Sequence, residues 1–453
     1  MIRRVVIACL VVAATARGAS ANGRPPGTSS ITFRQGHEDD VAVGLTFGLV
    51  ISHDAGKTWA WICEKAVGYS GEYDPRYAFS PSGALFATTF DGIKVERDGC
   101  TFGPTPSGTT FVSTAALGAD HTLYDGAAQH ADPAHNVVED YQIYKTTDDG
   151  VSFVATAGQP AGPISWWESI AVAPSNPQVL YVSGYAYVPG PGDAGTVRQN
   201  VVFRSDDGGA GWQALPLDPG VVALAANSAI DIVGIANDDP GHVYFRVTND
   251  DNISTQSIYR SVDKGVTWQR IAHKDATLDA FVVRATVNPS GHHDLILGTQ
   301  ALGAEISHDD GDTWTPLVNP PHMSCLVESS AGELWACTQN YSSTGAASDG
   351  AGIMKTTDPE AGIWTKVLRY EDLTDAVPCG AGTPQQTDCA AMWCSVCSQL
   401  GCTPSPSYGC PGTVEAPVAK SGCCDGRNGG AGALALGLPV GMVLLRPRRR
   451  RVI

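Results

Sequence analysis

A stretch reading Ser/Thr-x-Asp-x-Gly-x-Thr-Trp, or a degraded copy of it, recurs seven times along the chain, and no other feature limits the fold so tightly. Clean copies are Ser52 to Trp59, Ser261 to Trp268 and Ser307 to Trp314. Thr146 to Phe153 and Ser205 to Trp212 depart slightly. Val95 to Phe102 has Arg97 where the Asp should stand, and the copy that starts at Thr356 reaches Trp364 one residue late. The first positions of successive copies are 43, 51, 59, 56, 46 and 49 residues apart. A period of that length belongs to architectures that repeat one supersecondary unit.

The text between the boxes repeats as well. An apolar run closes on a Pro/Asn/Gly turn and a second β-rich run follows, as in Ile170 to Pro177 and then Val179 to Val182, which is the pattern of a hairpin. With the strand before each box and the strand that begins at its Trp, each repeat holds four antiparallel strands. Four strands repeated seven times predict an all-β fold, a seven-bladed β-propeller over 29–370. The blades fall at 29–64, 76–105, 111–157, 164–217, 228–273, 280–318 and 323–370, each owning its four strands, so ring closure is expected to rest on packing between the first and last. No stretch carries helical periodicity.

The box has a physical rationale as the turn between the third and fourth strands. Its carboxylate (Asp54, Asp148, Asp207, Asp263, Asp309, Asp358) accepts from the turn's own amides, Gly supplies a positive backbone angle, and the aromatic residue wedges into the neighbouring apolar layer. The box is therefore read as structural.

On these copies the chain resembles the Asp-box, or BNR, repeat families: sialidases, xyloglucan-hydrolysing propellers, sortilin-type receptors and a photosystem assembly factor. The resemblance implies a propeller with its boxes at the periphery and its ligands on the opposite face. It does not bring catalytic residues with it. The sialidase Arg-Ile-Pro motif is missing, Phe33-Arg34-Gln35-Gly36 being the nearest text, and Arg204 and Arg260 precede box serines, so a three-arginine clamp is not expected. A glycosidase needs two carboxylates facing each other across a cleft, and the sequence nominates no such pair.

Ligands are sought on the face built by the second-to-third-strand loops and the blade connections. Those loops are tight in blades 1, 2 and 6, and long in blades 3, 4, 5 and 7 (126–140, 186–200, 248–257 and 339–351). Candidate ligand-binding residues on this side are Trp166, Trp167, Glu168, Tyr185, Tyr187, Tyr69, Tyr73 and Asp74. Trp and Tyr beside a carboxylate suit stacking on sugar rings or anchoring a protein, although packing between blades is the simpler role for half of them. His130, Asp132 and His135 lie in one loop, but spaced histidines in an Ala/Pro-rich loop do not make a metal site, and neither a metal nor another cofactor is expected.

The remaining text concerns export. Arg3 and Arg4, an apolar run from Val5 to Ala14 and Ala19-Ser20-Ala21 read as a signal peptide over residues 1–21. Cys9 aside, 12 cysteines remain, an even number for an oxidising compartment, which favours disulfides over metal sites. Cys63 and Cys100 are expected to staple blades 1 and 2, and Cys325 and Cys337 to face each other across a hairpin of blade 7. Six cysteines crowd residues 379–410, which read as a disulfide-held knot with 15 possible connectivities. A linker over 411–421 leads to Cys423 and Cys424, an apolar segment at 429–445 and a basic end at 446–451. Residues 422–453 resemble the MYXO-CTERM sorting tail of myxobacterial surface proteins, which implies processing near Cys423/Cys424 and surface attachment. A plain membrane anchor gives the same topology.

Without its two ends the chain has 19 Lys and Arg against 45 Asp and Glu, a surface that repels nucleic acid and anionic membrane. The sequence thus predicts an exported, monomeric recognition propeller for a glycan or an extracellular protein, held at the envelope membrane through its tail. The alternatives are a glycoside hydrolase of sialidase or xyloglucanase type acting on extracellular polysaccharide, and a surface scaffold.

Overall fold

A computed structural model describes residues 24–405 and 410, apart from 70–72, 107–110, 191, 193–194, 218–223, 251–254 and 343–346. The signal-peptide, linker and sorting-tail readings, with Cys423 and Cys424, lie outside the described residues.

The chain forms seven antiparallel sheets, six of four strands and one with a fifth strand added. Their innermost strands are Thr28–Phe33, Tyr77–Phe79, Val112–Leu117, Trp166–Ala173, Leu224–Ile235, Ala280–Val287 and Cys325–Glu328. Each touches the innermost strand of the next blade, the last touching the first, so the sheets close a ring around a central channel and the protein is a seven-bladed propeller. Alternation along the second strands drives this packing. Leu123 packs against blade 2, whereas its neighbour Tyr124 packs with Trp167 and Leu180 of blade 4. One face of the ring carries the boxes and the first-to-second-strand turns. The opposite face, called here the loop face, carries the second-to-third-strand turns and the blade connections.

In the box of blade 1, the Ser52 hydroxyl donates to Asp54 and accepts from Gly56 N, while Asp54 accepts from Thr58 N at 2.8 Å and from the Thr58 hydroxyl at 2.7 Å. Ser261 to Thr267 and Ser307 to Thr313 repeat the arrangement. The turn also reaches outside its own blade. Gly56 has φ 81°, and a Cβ there would lie 2.6 Å from Val367 of blade 7, so the position needs Gly for its angle and for the close approach. The box indoles donate to backbone carbonyls of the preceding blade: Trp59 to Val367, Trp212 to Gly158, Trp268 to Pro216 and Trp314 to Ile271. Each of these four boxes is thus a staple between neighbours as well as a turn.

The degraded copies differ. In blade 2 Asp98, one place late, accepts from Cys100 N and Thr101 N, both at 2.8 Å. In blade 7 Asp358 accepts only the longer bonds from Glu360 N and Ala361 N, and the Trp364 indole nitrogen has no partner among the described residues.

The C-terminal part corrects four expectations. Asp375–Ala376 pairs in parallel with Ala60 and Trp61, so blade 1 does borrow a strand from the far terminus. Beyond it lies a helix, Ala390–Leu400, entered through a π-turn at Gln385–Cys389. Cys63 and Cys100 do not bond each other: Cys63 pairs with Cys389 and Cys100 with Cys379, because the C-terminal segment comes between the outer edges of blades 1 and 2 and offers each a nearer partner. The segment is therefore no separate knot. Only Cys394–Cys410 and Cys397–Cys402 are internal to it, and Trp393 is fully buried 5.0 Å from Trp61 in the core of blade 1. Cys325 and Cys337 are bonded directly across one hairpin.

Ring closure then has three parts. Trp59 staples blade 1 to blade 7, the Thr28 hydroxyl bonds the Tyr370 hydroxyl at 2.6 Å with Phe33 edge-on to Trp335, and the C-terminal segment runs from blade 7 over blade 1 to blade 2. Among the described residues no helix is long and apolar enough to cross a membrane. The five disulfides among the described residues fit an exported protein.

Candidate functional site

The loop face carries a continuous row of aromatic rings drawn from four blades. Tyr73 leaves blade 1, Phe90 tips the tight turn of blade 2, Phe111 enters blade 3 and Trp166 enters blade 4. Ring centroids are 4.7 Å apart from Tyr73 to Phe90, 4.9 Å from Phe90 to Phe111 and 5.1 Å from Phe111 to Trp166. The His130 ring, held by the Tyr141 hydroxyl at 2.6 Å, lies nearly parallel to Trp166 at 6.5 Å. Phe90 and Phe111 stack within 17° of parallel, yet Phe90 remains 55% exposed, so the row is both packed and open. Tyr73 is fixed by its hydroxyl, 2.6 Å from Thr88, which also accepts from Arg76 N.

A chain of alternating charges adjoins the row. Arg198 donates to Glu168 at 2.6 Å, and its guanidinium lies 3.7 Å over the Tyr185 ring. Arg246 bonds Asp231 at 2.7 Å and also Asp279. Arg76, just before the inner strand of blade 2, donates to the Glu168 carbonyl at 3.3 Å and approaches Asp231 to 4.0 Å. Glu168 and Asp231 sit on the inner strands of blades 4 and 5, so Arg76 crosses the mouth of the channel past blade 3. Burial, and then the Asp231 carboxylate, push the Glu168 carboxyl above its usual range against the pull of Arg198.

The sequence candidates divide accordingly. Trp166 and Tyr73 belong to the row, and Glu168 and Tyr185 to the charge chain. Tyr187 is exposed on a hairpin formed by Asn176–Pro189 and Thr196–Ser205, so the span read as a loop over 186–200 is largely paired strand. The other three are engaged within the protein. Trp167 is fully buried with its indole donating to Tyr141 O at 2.8 Å, Tyr69 donates to the carbonyls of Leu45 and Gly48 inside blade 1, and Asp74 is paired with Arg24 at 2.8 Å. Alternation along the inner strand separates Trp166 from Trp167, and adjacency in sequence misled there.

Phe90, Phe111, Arg76, Arg198, Asp231 and Arg246 escaped the sequence reading. For Phe90 a signal existed, since an aromatic residue at the tip of a Phe-Asp-Gly turn cannot be buried by its own hairpin. His135 is bonded to Asp132 at 2.6 Å, and among the described residues no group of three or more His, Cys, Asp or Glu is arranged to hold a metal ion.

No protein-family model and no curated protein matches the chain. Solved structures do. The extracellular domain of a putative one-component system from B. thetaiotaomicron is 14% identical over 77% of this chain and 46% of its own, with a TM-score of 0.48. An ancestral GH74 enzyme is 13% identical over 77% and 47%, at 0.50. YCF48 from Cyanidioschyzon merolae is 13% identical over 69% and 92%, at 0.40. The chain spans less than half the length of the first two. At such identities the likeness concerns the propeller fold alone.

Proposed function

We propose that this protein is an exported recognition module that holds an extracellular ligand against the loop face of its propeller, a glycan in the first reading. The observation that carries this is the aromatic row from Tyr73 to Trp166, which ends beside Glu168, Arg76 and Asp231 and so sets apolar ring faces next to donors and acceptors. A protein partner anchored on the same rings would use the same face. The box geometry fits the Asp-box resemblance, in which the boxes serve the scaffold. Attachment to the envelope follows from the sorting-tail reading of residues 422–453.

The test is a panel of polysaccharides read for both retention and cleavage by the full chain. Retention without new reducing ends is the expected result. Retention neither of any polysaccharide nor of a protein partner would leave only a scaffold.

One observation favours a hydrolase as a second reading: Glu168 is desolvated with its carboxyl raised, next to the second carboxylate of Asp231. Against it, both carboxylates are held in short ion pairs with Arg198 and Arg246, where a general acid or a nucleophile is ill placed. New reducing ends in the same panel would decide for the hydrolase.

A further inference from the structure

Three guanidiniums and three carboxylates meet at the loop-face mouth of the channel, and of the three guanidiniums only that of Arg76 stands largely open to solvent. Arg198 is 15% exposed and Arg246 16%, each in an ion pair under 3 Å. Arg76 is 52% exposed, and its guanidinium makes no ion pair under 3 Å, only contacts of 3.3 Å to a backbone carbonyl and 4.0 Å to Asp231 among the described residues. A guanidinium carries five N–H donors, so most of those on Arg76 face solvent above the channel.

The charge around Arg76 limits what can take those donors. A ligand carboxylate or sulfate placed there would also stand near Asp231 and beside Glu168 and Asp279, on a chain of net charge −17. A hydroxyl or ether oxygen accepts the same N–H without that repulsion, and hydroxyl donors find spare lone pairs on Glu168 and Asp231. The guanidinium of Arg76 bonds the carbonyl of Glu168, two residues along the strand from Trp166, while its main-chain amide shares Thr88 with the Tyr73 hydroxyl, so Arg76 is anchored beside both ends of the row.

From this juxtaposition we infer that Arg76 is the specificity-determining residue of the loop face and that the ligand is a neutral, hydroxyl-rich polysaccharide, with anionic glycans excluded. The three arginines do not form a carboxylate clamp, because each already faces a carboxylate of the protein. Arg76 reads ligand oxygens while the rings from Tyr73 to Trp166 bind the apolar faces of the sugars. The inference rests on the recognition reading above and can fail without it.

Affinity electrophoresis of the full chain through a soluble β-glucan, a mannan, a starch, an alginate and a polygalacturonate tests it, with thermal midpoints checked for every variant. Retention by at least one neutral polymer and by neither anionic one is expected. Arg76→Gln then weakens retention about tenfold or more, the size of a lost charged hydrogen bond, and Arg76→Lys restores part of it. Preferential retention by alginate or polygalacturonate overturns the inference. So does an Arg76→Gln variant that binds like wild type while Phe90→Ala does not, although recognition on this face then stands. No retention by any of the five overturns the inference and the glycan reading with it.

Discussion

The two faces of the ring are built from the same strands and dispose of their polar groups in opposite ways. In the intact boxes the Asp, the first hydroxyl and the Trp indole are all consumed within the turn or by the preceding blade. Asp54 takes both the amide and the hydroxyl of Thr58, and the hydrogen bonds from Thr58 hold its carboxyl down at about 2. In blade 3 the hydroxyl and amide of Ser152 hold Asp148 down at about 2. On the loop face Phe90 has an open ring and Arg76 has unused donors. The motif that recurs assembles the ring, and the groups available to a ligand occur once each.

That contrast predicts that changes in the scaffold cost stability and spare binding, and that changes in the row do the reverse. The largest effect on stability is expected from Cys63→Ser with Cys389→Ser. This bond closes a loop across a separation of 326 residues, and its loss should cost about 4–5 kcal/mol, read by denaturant unfolding, with ligand retention unchanged at low temperature.

Asp125 comes next. It is fully buried in blade 3 with neither carboxylate oxygen bonded among the described residues, and burial, with Asp140 adding to it, pushes its carboxyl up to about 7. A carboxyl raised in the fold favours folding fully below its unfolded value near 4, and that contribution is lost as pH rises through about 7. Wild type should therefore lose up to about 4 kcal/mol between roughly pH 4 and 8 from this group. Asp125→Asn should flatten that slope and gain stability at pH 8, measured by thermal unfolding across the range.

Asp54→Ala should cost about 1–2 kcal/mol through four lost, largely solvent-exposed hydrogen bonds and leave binding unchanged. The sign of the pH effect is opposite to that of Asp125. A carboxyl held at about 2 stabilises the fold above the ordinary value near 4 and loses this as pH falls through 2, so acid unfolding in that window should soften in the variant. The smallest effect on stability belongs to Phe90→Ala, under about 0.5 kcal/mol for an exposed side chain, although it should reduce ligand retention about tenfold.

Much of the architecture was legible because the boxes repeat: their spacing counts the blades and their Trp marks each outer strand. The C-terminal helix was missed for a physical reason. Its buried positions Cys389, Trp393, Cys397 and Leu400 do follow a helical period, but two of the four are cysteines and read as a disulfide framework. The pairings of Cys63 and Cys100 depend on where a segment some 300 residues away returns in space, which no local pattern encodes. The site was legible only in part. Of the row and the charge chain the sequence names Tyr73, Trp166, Glu168 and Tyr185, whereas Arg76, Phe90, Phe111 and Asp231 come from different blades and meet only when the ring closes.

The most direct measurement compares Asp54→Ala with Phe90→Ala, recording thermal midpoint and polysaccharide retention for both. A lowered midpoint with normal retention is expected for the first, and a normal midpoint with lost retention for the second. Lost retention in a folded Asp54→Ala protein, or full retention in Phe90→Ala, would contradict this.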